Sequence, residues 1–230
     1  MLSLLEALTV GYTVSVGVIM LMICRLVIKR QAVGELTALP ISAGGSSELA
    51  PVTQYDFLVF TDSIGKHMLP HQVSSLTKKC LIKAVPGLTF GDEAWEMFRC
   101  FSSHRFQKII IHLGTNNITK PQSCSFRVTV HEFLKKIKQQ HPTACIILSN
   151  ILPRGNLMPF QENLLLEYNF VLAGLAEDME VWCKNSYSLF MNNGNPVFDP
   201  WFNKQKLHLS SHGVVKLARS FQRVLLGQME

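Results

Sequence analysis

Ser63 stands in Thr61-Asp62-Ser63-Ile64-Gly65-Lys66-His67, directly after the apolar run YDFLVF at 55–60. A serine hydroxyl attacks a carbonyl carbon once a base takes its proton, and the amides of the next turn can hold the oxyanion that forms. A plainer role is open to the same residues, with Asp62 or Ser63 capping a helix. His112-Leu113-Gly114-Thr115-Asn116-Asn117 closes the run KIIIHL at 108–113. The Asn116 amide is a donor suited to an oxyanion, or simply part of a turn. Leu207-His208-Leu209-Ser210-Ser211-His212-Gly213 supplies His208, which is neutral near pH 7 and so fit to act as a general base, or else packs at a helix entry. Ser210 or Ser211 is a natural cap for a helix beginning there. His67 and His71 either face the same cleft or sit in solvent, and His212 falls on the first helical turn.

These residues need a frame that brings them together. CLIKAV (80–85), ACIILSN (144–150) and MEVWC (179–183) join YDFLVF and KIIIHL as candidate strands. Between them, Phe126, Val130, Phe133, Leu134 and Ile137 recur at helical spacing on a segment from Ser125 to Gln139. Val214, Leu217, Ala218, Phe221, Val224 and Leu225 do the same near the C-terminus. Lys135, Lys136 and Lys138 form the solvated face of the first of these helices. Apolar strands alternating with helices imply an α/β domain, a three-layer α/β/α sandwich around a mostly parallel, five-stranded sheet. Ligands in such folds gather at the carboxyl ends of the strands, which is where Ser63 and Asn116 fall.

With the three blocks in order, a family resemblance becomes visible. TDSIGKH resembles the GDS-containing first block of SGNH (GDSL-type) hydrolases, IHLGTNN their GTND block and KLHLSSHG their last block, over about residues 55 to 225. The first block is also similar to esterase domains of some non-LTR retrotransposons. The resemblance implies the SGNH, flavodoxin-like sheet, with Ser63 as nucleophile and His208 as base. It implies an oxyanion hole from the Ser63 amide, Asn116 and Gly87, the last in Val85-Pro86-Gly87 where the family has its glycine block. It implies an ester substrate and no cofactor; which ester is not readable from one sequence, a lipid ester suiting a membrane-tethered enzyme and an O-acetyl group on a sugar or protein being the alternative. Two positions depart from the pattern. Thr61 replaces the usual Gly, and Gln205 occupies the place of the Asp three residues before the histidine. Glutamine can orient an imidazole but cannot offset the charge of an imidazolium. Asp199, in Phe198-Asp199-Pro200-Trp201, is the nearest upstream carboxylate and either substitutes for that acid or shapes a turn before Pro200. The expected function is therefore a serine esterase or acyl hydrolase impaired by the missing acid, or an inactive relative that binds rather than cleaves.

The rest of the chain sets the context. Its 230 residues allow one domain at 54–230, preceded by a tether at 31–53 rich in Gly, Ser, Ala and Pro. Residues 1–30 hold the uncharged run Ala7–Cys24, and as a helix its 18 residues would reach about 27 Å. That length suits a single membrane anchor; a cleaved signal peptide is the rival. Arg25, Lys29 and Arg30 after the run would keep the domain cytosolic. The six cysteines are scattered without CxxC spacing, which argues against a disulfide framework or a zinc site and agrees with a reducing compartment. The Asn-Ile-Thr sequon at Asn117 abuts the proposed site, where a glycan would obstruct it. Despite a net charge of +6, no basic stripe interleaved with aromatics is present, so nucleic acid is not the expected partner.

Overall fold

The computed structural model describes residues 54–120 and 125–228. Short runs rich in Ile, Val, Leu and Phe become the strands β1 (Phe57–Thr61), β2 (Cys80–Ala84), β3 (Lys108–His112), β4 (Cys145–Ser149) and β5 (Trp182–Lys184). They form one five-stranded sheet in the order β2-β1-β3-β4-β5, and every neighbouring pair is parallel. Parallel neighbours need long crossovers. The helices α1 (Pro70–Val73), α2 (Asp92–Phe98), α3 (Phe126–Gln140) and α4 (Pro159–Asp178) lie in these connections, and α5 (Ser211–Leu225) follows the last strand. A two-stranded ribbon, β6 (Met191–Asn192) with β7 (Asn195–Pro196), lies between β5 and α5.

Successive side chains of a strand point to opposite faces, and β1 shows the consequence. Leu58 and Phe60 enter one apolar cluster with α2, α3 and α4, while Phe57 and Val59 enter another with α5. Both faces are thus covered, giving the expected three-layer domain. On the first face Phe60, Phe90, Phe98 and Phe133 meet mostly edge to face, with centroids 5.3–6.3 Å apart. The helical stripes read from sequence are the buried ones: Phe126, Val130, Phe133, Leu134 and Ile137 on α3, and Val214, Leu217, Ala218, Phe221, Val224 and Leu225 on α5.

The fifth strand begins later than the expected 179–183. The Met179 amide still bonds the Leu175 carbonyl, so the end of α4 claims that residue, and pairing with β4 starts only at Trp182. The apolar run at 7–24 and the tether at 31–53 lie outside the described residues. Among the described residues no helix is long and apolar enough to cross a membrane.

The sheet order reverses between β1 and β3. The chain leaves β1 for β2 on one side and resumes with β3 on the other, opening a crevice at the carboxyl ends of these two strands. Thr61 pairs with His112 and Ala84, so the loops after β1, β2 and β3 emerge side by side.

Candidate active site

Asp62 is buried, and its Oδ1 accepts the Ile64 amide at 2.9 Å, capping the single 3-10 turn Ser63–Gly65. The capping role foreseen for this motif therefore belongs to Asp62. It leaves Ser63 half-buried at the first position of the turn, in the crevice. The two readings of the motif are compatible, because the cap fixes the backbone that presents the Ser63 hydroxyl.

Asn116, after β3, is also half-buried. Its Nδ2 donates to the Leu88 carbonyl at 3.0 Å and approaches Asp62 Oδ2 at 3.5 Å. One amide thus ties the loop after β3 to the Gly87-Leu88 loop and to the residue preceding Ser63. Gly87 adopts φ +76°, a left-handed conformation that favours glycine, and a Cβ there would approach only Lys120 Nζ, at 3.7 Å. Backbone conformation rather than space selects glycine. Lys120 Nζ donates to the Gly87 carbonyl. Next door, Asn117 receives the Phe90 amide on Oδ1 at 2.9 Å and is 2% exposed, so the Asn-Ile-Thr sequon sits on a buried structural asparagine.

Burial pushes the Asp62 carboxyl up to about 6, against the opposing pull of the Ile64 amide, the Thr115 hydroxyl and Arg154. Arg154 follows β4 in Pro153-Arg154-Gly155-Asn156. Its Nε donates to Asn156 Oδ1 at 2.7 Å and its Nη1 to the Thr115 carbonyl at 3.4 Å. Sequence reasoning missed this residue. Its signal was available, since a cation in the turn after a central strand falls at the same sheet edge as Ser63 and Asn116.

His208 arrives from the segment before α5. Phe202 and Leu209 form an isolated antiparallel bridge, the Asn203 amide donates to the His208 carbonyl at 2.8 Å, and Asn203 Oδ1 accepts the Leu207 and His208 amides at 3.2 and 3.3 Å. Asn203, a second residue the sequence did not flag, thus holds the histidine's backbone. Ser210 caps α5 by accepting the Gly213 amide at 3.2 Å, as foreseen for this position or the next. Burial, then Arg154, His67 and Lys66, hold the His208 imidazole below the ordinary histidine value. It is neutral at pH 7 and free to accept a proton. Lys66 and His67, in the segment that begins at Ser63, are thus among the charges that act on this ring.

No hydrogen bond joins Ser63 Oγ to the His208 ring, and apo sites often tighten only around substrate. Gln205 is exposed, and its Oε1 accepts from Asn203 Nδ2 at 2.7 Å, so it supports the loop instead of the imidazole. Asp199 is exposed and makes no hydrogen bond to His208. Every charged neighbour acting on the imidazole is cationic or potentially so. Among the described residues no cluster of His, Cys, Asp and Glu could hold a metal. A groove of about 700 Å³ lies elsewhere, between α5 and the β5 edge, where Lys184, Trp201, Lys216 and Arg219 line it without Ser63 or His208. Chemistry, not volume, marks the candidate site.

No protein-family model matches the chain, and no curated protein is significantly similar to it. Solved structures do match. A GDSL-like lipase from Bacteroides thetaiotaomicron superposes with a TM-score of 0.63 at 16% identity, covering 87% of this chain and 98% of that one. An acetylxylan esterase from Geobacillus stearothermophilus gives 0.58 at 16%, over 75% and 94% of the two chains. A lipase/acylhydrolase from Enterococcus faecalis gives 0.56 at 13%, over 77% and 98%. With Ser63, Gly87, Asn116 and His208 carried on the loops just described, the chain has the fold of the SGNH/GDSL hydrolase superfamily.

Proposed function

We propose that the protein is a serine esterase or acyl hydrolase. The observation that carries the reading is the hydrogen-bonded junction at Asn116, whose amide links the loop of Gly87 to the residue before Ser63 at the switch point of the sheet. Ser63 Oγ attacks the ester carbonyl as the neutral His208 takes its proton. The amides of Ser63 and Gly87 and the side chain of Asn116 stabilise the tetrahedral oxyanion, the alcohol leaves with the proton from His208, and water then releases the acid from the acyl-enzyme. Lipid esters and O-acetylated sugars are the substrate classes to which the structural neighbours direct attention. Without a carboxylate beside His208 the imidazolium is poorly stabilised, so turnover is slow, and an inactive, binding role is the limiting case of the same defect.

The uncharged run at 7–24 supports a membrane tether with the domain on the cytosolic side. Extraction of the full chain from membranes by alkaline carbonate would rule that placement out.

A fluorophosphonate probe tests the chemistry. The full chain should be labelled covalently and its Ser63→Ala variant should not. Absence of labelling, or labelling that survives Ser63→Ala, removes the esterase reading.

A further inference from the structure

The crevice around Ser63 is built with cations and almost no accessible negative charge. Arg154 reaches it from the loop after β4, bonded to the carbonyl of the residue next to Asn116. Lys66 follows Ser63 in the same turn, and Lys120 sits on the carbonyl of Gly87. The carboxylate within this group, Asp62, is fully buried and committed to the Ile64 amide and to Asn116. Arg154 is only half-buried, and two of its guanidinium nitrogens have named partners, which leaves the remaining N–H donors of the fork without a protein acceptor among the described residues. A neutral ester would gain nothing from such a rim. A ligand bearing an oxyanion group would satisfy the free donors bidentately and bring negative charge into the cationic field that acts on His208.

We propose that the site takes an ester whose alcohol or acyl part carries an oxyanion group, carboxylate or phosphate, and that Arg154 is the residue that selects it. The inference rests on the esterase reading and names its substrate class. The field now holding His208 low, to which Arg154, His67 and Lys66 contribute after burial, is partly neutralised when that anion binds. The substrate thereby restores some of the basicity that an acid partner would have supplied. Selection thus acts on kcat as well as on KM.

Three acetate esters of one phenol scaffold test this: neutral methyl 4-acetoxybenzoate, anionic 4-acetoxybenzoate and 4-acetoxyphenyl phosphate, each rate divided by that ester's own hydroxide rate. The full chain should prefer an anionic ester by about tenfold or more in kcat/KM. The carboxylate and phosphate arms show which oxyanion is taken. Arg154→Gln should bring the ratio to within about twofold of unity and Arg154→Lys should keep most of it, whereas a purely structural role would change all three rates together. Raising the salt concentration should erode the preference in the unaltered chain, a readout that needs no variant. Equal rates for the three esters, or a preference that survives Arg154→Gln, overturns the inference and leaves the esterase reading standing. Labelling of Ser63 by the fluorophosphonate without hydrolysis of any ester likewise overturns the inference alone. Absence of both labelling and hydrolysis overturns the esterase reading and the inference with it.

Discussion

At the scale of single residues, the proposed mechanism sets a well-braced serine turn against a histidine whose ring no carboxylate contacts. Asp62 and Asn116 brace the turn that begins at Ser63, while His208 is held through its backbone by Asn203 and has no carboxylate on its ring. Returning an acid to position 205 supplies that carboxylate. Loss of the acid in a serine protease lowers turnover about 10⁴-fold, partly through the wrong tautomer, so Gln205→Asp should recover a part of that, on the order of 10- to 100-fold in kcat. The new negative charge also opposes Arg154, His67 and Lys66 and raises the His208 pKa, so the acid limb of kcat/KM should move to higher pH. Steady-state rates between pH 5 and 8 check both effects. A faster enzyme with an unmoved limb would mean that the introduced carboxylate acts on the loop and not on the imidazole. The placement of Ser63 and Asn116 at the carboxyl edge of the sheet was legible in the sequence because each lies in a motif directly after an apolar run. The role of Asn203 was not, since it depends on the amides of Leu207 and His208, contacts that no spacing encodes; Arg154 had a signal only in its place after a central strand, and its bond to the Thr115 carbonyl had none.

At the scale of elements, the placement of His208 depends on how α5 docks. Gly213, in its first turn, lies so close to the 198–202 segment that an added Cβ would come within 2.0 Å of the Trp201 carbonyl, which itself accepts the Ser210 amide at 2.9 Å. That is backbone against backbone, with no flexible side chain to yield. Gly213→Ala should therefore push α5 away from the Trp201 carbonyl, at a cost of about 1–3 kcal/mol. The His208 loop should shift with it, lowering kcat in excess of what the loss of folded protein explains. Urea unfolding and the rate per labelled Ser63 separate the two effects. An unchanged midpoint and rate would show that the first turn of α5 is freer than its contacts imply. Four strands and the helices α3 and α5 were readable in advance, since burial on two sheet faces requires continuous apolar runs and packing of a helix on one face requires a period-3.6 stripe. The ribbon β6–β7 had a signal too, the Asn193-Gly194 pair, both with positive φ, of a two-residue hairpin turn. The twenty-residue α4 was obscured because Phe160, Leu166 and Phe170 are exposed on it, so its apolar residues follow no single stripe.

At the scale of the whole molecule, two buried groups flank the sheet's carboxyl edge and make stability depend on pH with opposite signs. Burial drives the His112 pKa down to about 4 from 6.5, its Nδ1 meeting Ser149 Oγ at 2.8 Å while Nε2 has no partner among the described residues. Between pH 6.5 and 4 the unfolded chain binds a proton at this site that the folded chain refuses, so its contribution is complete above 6.5 and is lost as pH falls. Asp62 runs the other way. Its folded pKa of about 6 exceeds the unfolded 3.8, so in that window the folded chain holds the extra proton, and its contribution is complete below 3.8 and is lost as pH rises through 6. Between about pH 4 and 6 the two nearly cancel, each being able to change stability by at most about 1.4 kcal/mol per pH unit. Removing one should expose the other. Relative to the unaltered chain, His112→Gln should gain stability as pH falls from 6.5 to 4, and Asp62→Asn should lose it over pH 6 to 4. Differences in urea unfolding free energy cancel the titrations the variants share, so their slopes isolate each group. Parallel curves for His112→Gln and the unaltered chain would mean that the imidazole titrates normally in the folded state, through an opening of the layer between β3 and α5, where its ring lies 5.7 Å from that of Phe221.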